Sequence, residues 1–167
     1  MRFNAAILIA FLSVLANGAR AETPDLFIVP ERTENCLAVS PDQNDCVGIA
    51  AGACSELPTE STLEGMTTCV VLERSFWQGR MDGAYLELQK NAANSDLANS
   101  SAEGFTSLAD GLAQMQSGWL AFRNAQCFSE NSGIRKSLER QLFETQCLMR
   151  MDANQARYLA WLLESDT

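Results

Sequence analysis

Histidine is absent from all 167 residues. That gap removes the Ser-His-Asp triad, the Cys-His dyad, a histidine-ligated zinc and a histidine pH switch. Cations are scarce as well, 12 Lys and Arg against 21 Asp and Glu, for a net charge of −9. A nucleic-acid binder needs a basic face to displace phosphate counterions, so that class is excluded. Proline occurs four times and never after Pro58. An internal proline costs a helix about 3 kcal/mol, so the last 109 residues are open to long helices. No C-x-x-C pair, nucleophile elbow or phosphate loop occurs, so neither a metal centre, a cofactor nor an enzyme is expected. No apolar run reaches the roughly 20 residues that cross a bilayer.

What is present begins with a leader. Arg2 gives a short positive start, residues 5–15 are apolar, and Ala19-Arg20-Ala21 is a small-x-small cleavage site. Cleavage after Ala21 leaves 146 residues and, with Arg2 and Arg20 gone, takes the net charge from −9 to −11. A periplasmic or secreted acidic protein is the expectation. Six cysteines (Cys36, Cys46, Cys54, Cys69, Cys127 and Cys147) all lie beyond the leader. In an oxidising compartment they read as up to three disulfides. Fifteen complete pairings are possible; the spacing suggests Cys36–Cys46 and Cys127–Cys147.

Hydrophobic residues make up 47% of the chain, enough for a core. Residues 22–58 hold Pro24, Pro30, Pro41 and Pro58 and show little periodicity, which predicts an irregular, disulfide-held segment with a short helix near residues 46–54. Beyond it, residues 59–167 form the expected helical domain. Met66, Val70, Trp77, Met81, Ala84 and Leu88 trace one face of a helix over residues 63–91. Gly79 and Gly83 lie one turn apart there, where a neighbouring backbone can approach. Residues 91–101, rich in Asn, Ser and Ala, read as a surface loop. Leu108, Leu112, Met115, Trp119, Phe122 and Gln126 make a stripe on a second helix over residues 103–128. A loop at 128–133 follows, then a third helix over 137–164 that Asp152 interrupts or re-caps. The fold class is all-α, an antiparallel bundle of about three helices with a disulfide-tied N-terminal segment.

Two segments carry a family resemblance. Cys69, Glu73, Trp77, Met81-Asp82, Tyr85 and Leu88 resemble the first helix of the LprI-like secreted proteins, named for a bacterial lysozyme inhibitor. Gln116-x-x-Trp119-x-x-Phe122-Arg123-Asn124-Ala125-x-Cys127 resembles the motif of their second helix, and the segment at Cys147 their final cysteine. Asn124 stands where the family has aspartate, and Asp152-Ala-Asn-Gln155 where it has Thr-x-x-Arg, leaving Arg150 or Arg157 to replace that arginine. Physically, Met115, Trp119 and Phe122 read as core. Gln116 and Arg123 share a side two turns apart, and Arg123 can lay its guanidinium on Trp119 and bridge to Glu73. Tyr85 reads as packed with its hydroxyl bonded.

The resemblance implies a protein partner, a basic lysozyme, towards which an acidic protein is steered. The loop beside Cys127, with Phe128, Ser129, Glu130, Asn131 and Ser132, is the first candidate to enter the enzyme's cleft; residues 91–101 are the second. The competing reading is an envelope structural or interaction module of the same fold without lysozyme inhibition. The sequence leaves the oligomeric state open.

Overall fold

The computed structural model describes residues 28–165, so the expected leader at residues 1–21 lies outside the described residues. Among them are five α-helices and no strand: α1 (Ile28–Val39), α2 (Ile49–Ser55), α3 (Leu63–Asn99), α4 (Leu108–Asn131) and α5 (Ser137–Ser165). A 3₁₀ turn, Gln43–Cys46, lies between α1 and α2. The all-α reading holds, and the three predicted long helices are α3, α4 and α5.

Within its described residues the N-terminal segment is more helical than the sequence reading: the short helix expected near residues 46–54 is present as α2, and α1 is an additional one. Pro30, Pro41 and Pro58 punctuate helices instead of preventing them, and Pro24 lies outside the described residues. Pro30 sits in the first turn of α1, where its missing N–H has no partner to lose. Pro41 follows the end of α1, and Pro58 follows the end of α2.

The third helix of the bundle runs beside the first. Arg74 of α3 reaches Asp152 of α5, and further along Leu88 of α3 shares a cavity with Leu162 of α5, so these two helices are parallel. Between them in sequence, α4 runs the opposite way, tied to α5 by Cys127–Cys147 and meeting Leu162 through Leu112. At 37 residues, α3 is about 55 Å long and forms the spine of the molecule. The α3–α5 interface is the most extensive in the structure. Trp77, Val70, Met81 and Leu88 from α3 interleave there with Leu142, Met149, Ala153, Ala156 and Leu159 from α5. Each large side chain buried in this way contributes about 1.5–3 kcal/mol.

Three disulfides brace this frame. Cys36–Cys46 ties α1 to the 3₁₀ turn, Cys54–Cys69 ties α2 to α3, and Cys127–Cys147 ties α4 to α5. Both pairings suggested by the spacing are present. Short loops of this kind stabilise by about 2–3 kcal/mol each in the chain-entropy account.

Helix boundaries depart from the sequence reading in two places. Residues 91–99, expected as loop, continue α3: Ala92 stays in the core face one turn beyond Leu88. One turn further, Asp96 captures the start of α4. Its Oδ1 accepts from the Leu108 N–H at 2.8 Å, and its Oδ2 accepts from the Ala109 N–H at 3.0 Å and the Ser107 hydroxyl at 2.8 Å. Ser107 is itself the N-cap, accepting from Asp110 N–H, so α4 begins at Leu108 and not near residue 103. Gly104, at φ 74°, makes the turn before it.

The Ala109 and Leu108 N–H groups, in that order, hold the Asp96 carboxyl below its ordinary value of 3.8, with the Ser107 hydroxyl adding to them and desolvation opposing. A depressed folded value stabilises above the unfolded one. The stability difference between wild type and Asp96→Asn is therefore expected in full above pH 3.8 and should vanish as pH falls through the lowered folded value. Denaturation curves of both proteins across pH 2–6 check this; a difference independent of pH would refute it.

The glycines also answer differently from expectation. A Cβ built on Gly79 or Gly83 meets nothing within 4 Å, so no backbone approaches there. The close approach is at Gly65, whose Cβ would stand 2.6 Å from Glu60 Cα. Gly65→Ala should cost about 1–3 kcal/mol through forced backbone movement. Gly79→Ala and Gly83→Ala should each raise stability by about 0.5–1 kcal/mol. Urea midpoints of the three variants provide the comparison.

Candidate functional site

On its inner side, α4 is polar. Its buried residues are Gln116, Arg123, Cys127 and Asn131, spaced at helical period, while the stripe read from sequence lies to one side. Met115 and Trp119 pack partly against the core, but Phe122 is 59% exposed, which corrects its assignment to the core. The rotation follows from chemistry: Gln116 and Arg123 find partners across the interface, and Asn131 finds one a turn back on its own helix. Gln116 Oε1 accepts from Gln155 Nε2 of α5 at 2.9 Å. Asn131 Nδ2 donates to the Cys127 carbonyl at 2.8 Å.

Arg123 has the most demanding partner. Its Nη1 donates to Asp152 Oδ1 at 2.5 Å, its Nε and Nη2 donate to Asn124 Oδ1, and its guanidinium lies 5.2 Å from the Trp119 ring centroid. Arg74 of α3 donates from Nε to Asp152 Oδ2 at 2.8 Å. Asp152 is 0% exposed, so one carboxylate joins α3, α4 and α5 through two guanidinium groups. It does not interrupt α5. The expected Arg123–Glu73 bridge is absent because Asp152 takes Arg123. The extra arginine comes from α3, while Arg150 is exposed and Arg157 donates to Asn44 of the 3₁₀ turn.

Glu73 has a different task. Its Oε1 accepts from Gly48 N–H at 2.6 Å and Trp77 Nε1 at 3.1 Å, and its Oε2 accepts from Ala51 N–H at 2.7 Å. The N-cap of α2 is Gly48, at φ 92° and without a side chain to cap with. Glu73 supplies that cap from another helix and lends its negative charge to the positive end of α2. Tyr85 accepts from Gln89 Nε2 at 2.8 Å through its hydroxyl, as expected of a packed tyrosine.

The loop nominated at residues 128–133 is largely helix. Phe128, Ser129, Glu130 and Asn131 form the last turn of α4, Ser132 is the C-cap, and the Asn131 side chain is turned inward. Phe128 projects outward, 65% exposed, immediately beside the Cys127–Cys147 bond. This corner shares an end of the bundle with the N-terminal arm. Cys147 precedes Asp152 by the five residues that separate Cys69 from Arg74, and Asp152 and Arg74 are paired. A Cβ on Gly48 of the arm would lie 3.6 Å from Met149 Cε.

Among the described residues no group of three or more His, Cys, Asp or Glu is placed to hold a metal ion, and no helix is long and apolar enough to cross a membrane. The sequence signal for Asp152 and Glu73 was available: Asp152 falls at helical spacing between Met149 and Leu159, and Glu73 between Val70 and Trp77. A carboxylate within an apolar stripe marks a buried, partnered charge.

The fold and its buried polar centre thus define a disulfide-braced helical bundle with three helices joined on one carboxylate. The chain belongs to the lysozyme inhibitor LprI family, whose model matches residues 54–159. It is also 26% identical over 141 residues to an uncharacterized 17.7 kDa protein encoded in the puhA 5' region of Rhodobacter capsulatus, a match covering 81% of this chain and 87% of that protein. No solved structure matches.

Proposed function

We propose that this chain is an exported, non-enzymatic acidic protein that binds a basic lysozyme and obstructs its saccharide cleft. The family match over residues 54–159 carries the reading. The net charge of −9 supports it, since a field of that sign speeds encounter with a basic enzyme and makes binding salt-sensitive. The corner at the end of α4 is the element proposed to enter the cleft. Phe128 offers an exposed aromatic anchor on a helix end held rigid by Cys127–Cys147, with Ser129, Glu130 and Ser132 around it. Asn131, facing inward, supports the corner and makes no contact with the partner.

Purified protein assayed against chicken-, goose- and invertebrate-type lysozymes should inhibit at least one, more strongly at low than at physiological salt. Phe128→Ala should weaken that inhibition about tenfold or more. Absence of inhibition with excess wild-type protein at low salt, against all three types, would reject the reading.

A further inference from the structure

The negative charge is not spread evenly over the chain. Residues 28–64 carry Glu31, Glu34, Asp42, Asp45, Glu56, Glu60 and Glu64 against a single cation, Arg32, for a net of −6. Residues 65–165 carry eleven carboxylates against nine cations, a net of only −2 across more than twice the length. Pairing sharpens the contrast. The ion pairs among the described residues use Asp152, Glu87 and Glu139, all beyond residue 64, so none neutralises an arm carboxylate. Six of the seven arm carboxylates are exposed, Glu60 being the buried one.

The same arm contains an open groove of about 700 Å³ between α1 and α2, lined by Glu31, Arg32, Asn35, Cys36, Val39 and Ile49. Val39 is 82% exposed, and Ile49 is also exposed. Aliphatic surface beside the Glu31 carboxylate suits a lysine or arginine, whose methylene stem packs on apolar surface while its charged head meets an anion. The groove lies on a rigid support. Cys36–Cys46 closes the arm on itself, Cys54–Cys69 fixes it to α3, and Glu73 caps α2 from below. The family match begins at residue 54, so most of this surface stands outside the family's common domain.

We infer that the N-terminal arm is the docking surface for the basic partner: its carboxylates steer the encounter, and the α1–α2 groove seats a lysine or arginine of the partner. This inference rests on the lysozyme-binding reading and adds a docking surface to the cleft-entering corner which that reading names. The arm and the Phe128 corner lie at the same end of the bundle, so one partner can meet both.

The test measures association and dissociation rates with the lysozyme that wild type inhibits best, from low to physiological salt. The arm variant Glu31→Gln, Glu34→Gln, Glu56→Gln is compared with a control of equal charge change, Asp82→Asn, Glu103→Gln, Glu144→Gln. The arm variant should associate about tenfold more slowly at low salt with a flattened salt dependence, while the control stays within about twofold of wild type. Val39→Ser with Ile49→Ser should speed dissociation about tenfold and leave association nearly unchanged. Circular dichroism establishes that each variant is folded. Equal slowing by arm and control variants, or unchanged dissociation of the groove variant, overturns the docking surface and leaves the lysozyme reading standing. Failure of wild type to associate with any lysozyme removes both.

Discussion

Asp152→Ala is expected to lower the stability of the oxidised protein by about 3–5 kcal/mol. Both Asp152 oxygens are engaged, by Arg123 at 2.5 Å and Arg74 at 2.8 Å, and the aspartate has no exposure to water. Removing it strands Arg123, whose side chain is 9% exposed, without an anion in an apolar setting. Arg74, at 22%, can still turn towards solvent, so most of the cost falls on Arg123. The pair itself adds little over a well-packed apolar substitute, because desolvation offsets much of the Coulomb gain. Asp152→Leu combined with Arg123→Leu should therefore recover a large part of the loss. Guanidinium denaturation with disulfides intact, at unchanged slope, separates these outcomes. A loss under about 1 kcal/mol for Asp152→Ala would show that the network is not buried as described.

Glu73→Ala should cost about 2–4 kcal/mol, through a different route. One carboxylate serves three donors: the N–H groups of Gly48 and Ala51 and the indole of Trp77. Truncation orphans all three at once, next to a fully buried tryptophan. It also removes the anion at the start of α2, which Gly48 cannot cap for itself. Glu73→Gln keeps the volume and one acceptor but points an N–H₂ group at an amide donor, so an intermediate loss is expected. Hydrogen exchange locates the damage. The Gly48 and Ala51 amides should lose protection in Glu73→Ala, with the α4–α5 interface unaffected. Uniform loss of protection would assign Glu73 to the global core instead.

These two carboxylates also explain which parts of the molecule the sequence made legible. Apolar periodicity located α3, α4 and α5 because most of their packing obeys the helical repeat, and the proline-free stretch set no barrier to their length. It misjudged the face of α4, since Gln116, Arg123 and Cys127 turn inward to partners 39, 29 and 20 residues away. Such partners lie on another helix, beyond the reach of any local pattern. The end of α3 was missed for the same reason. Residues 91–99 have the composition of a loop, yet Asp96 holds the start of α4 from a helical position. In the arm, proline counting misled, because helices as short as α2, 7 residues, fit between prolines and draw their stability from Glu73 and Cys54–Cys69. Most of the family motif was visible, but its residues are mostly structural: Trp77, Gln116, Trp119 and Arg123 assemble the bundle, and Phe122 alone among its aromatics faces out.

The sulfur bridges have one more consequence. Each joins a cysteine to the next along the chain, and none spans residues 70–126. A protease nick in the segment 100–107 would thus yield two polypeptides with every bridge intact and no covalent link between them. The packing of α3 on α4 and α5, the shared carboxylate and the Arg157–Asn44 hydrogen bond would hold the halves together. Such a nicked molecule should migrate as one species in native buffer and come apart in denaturant without any reductant.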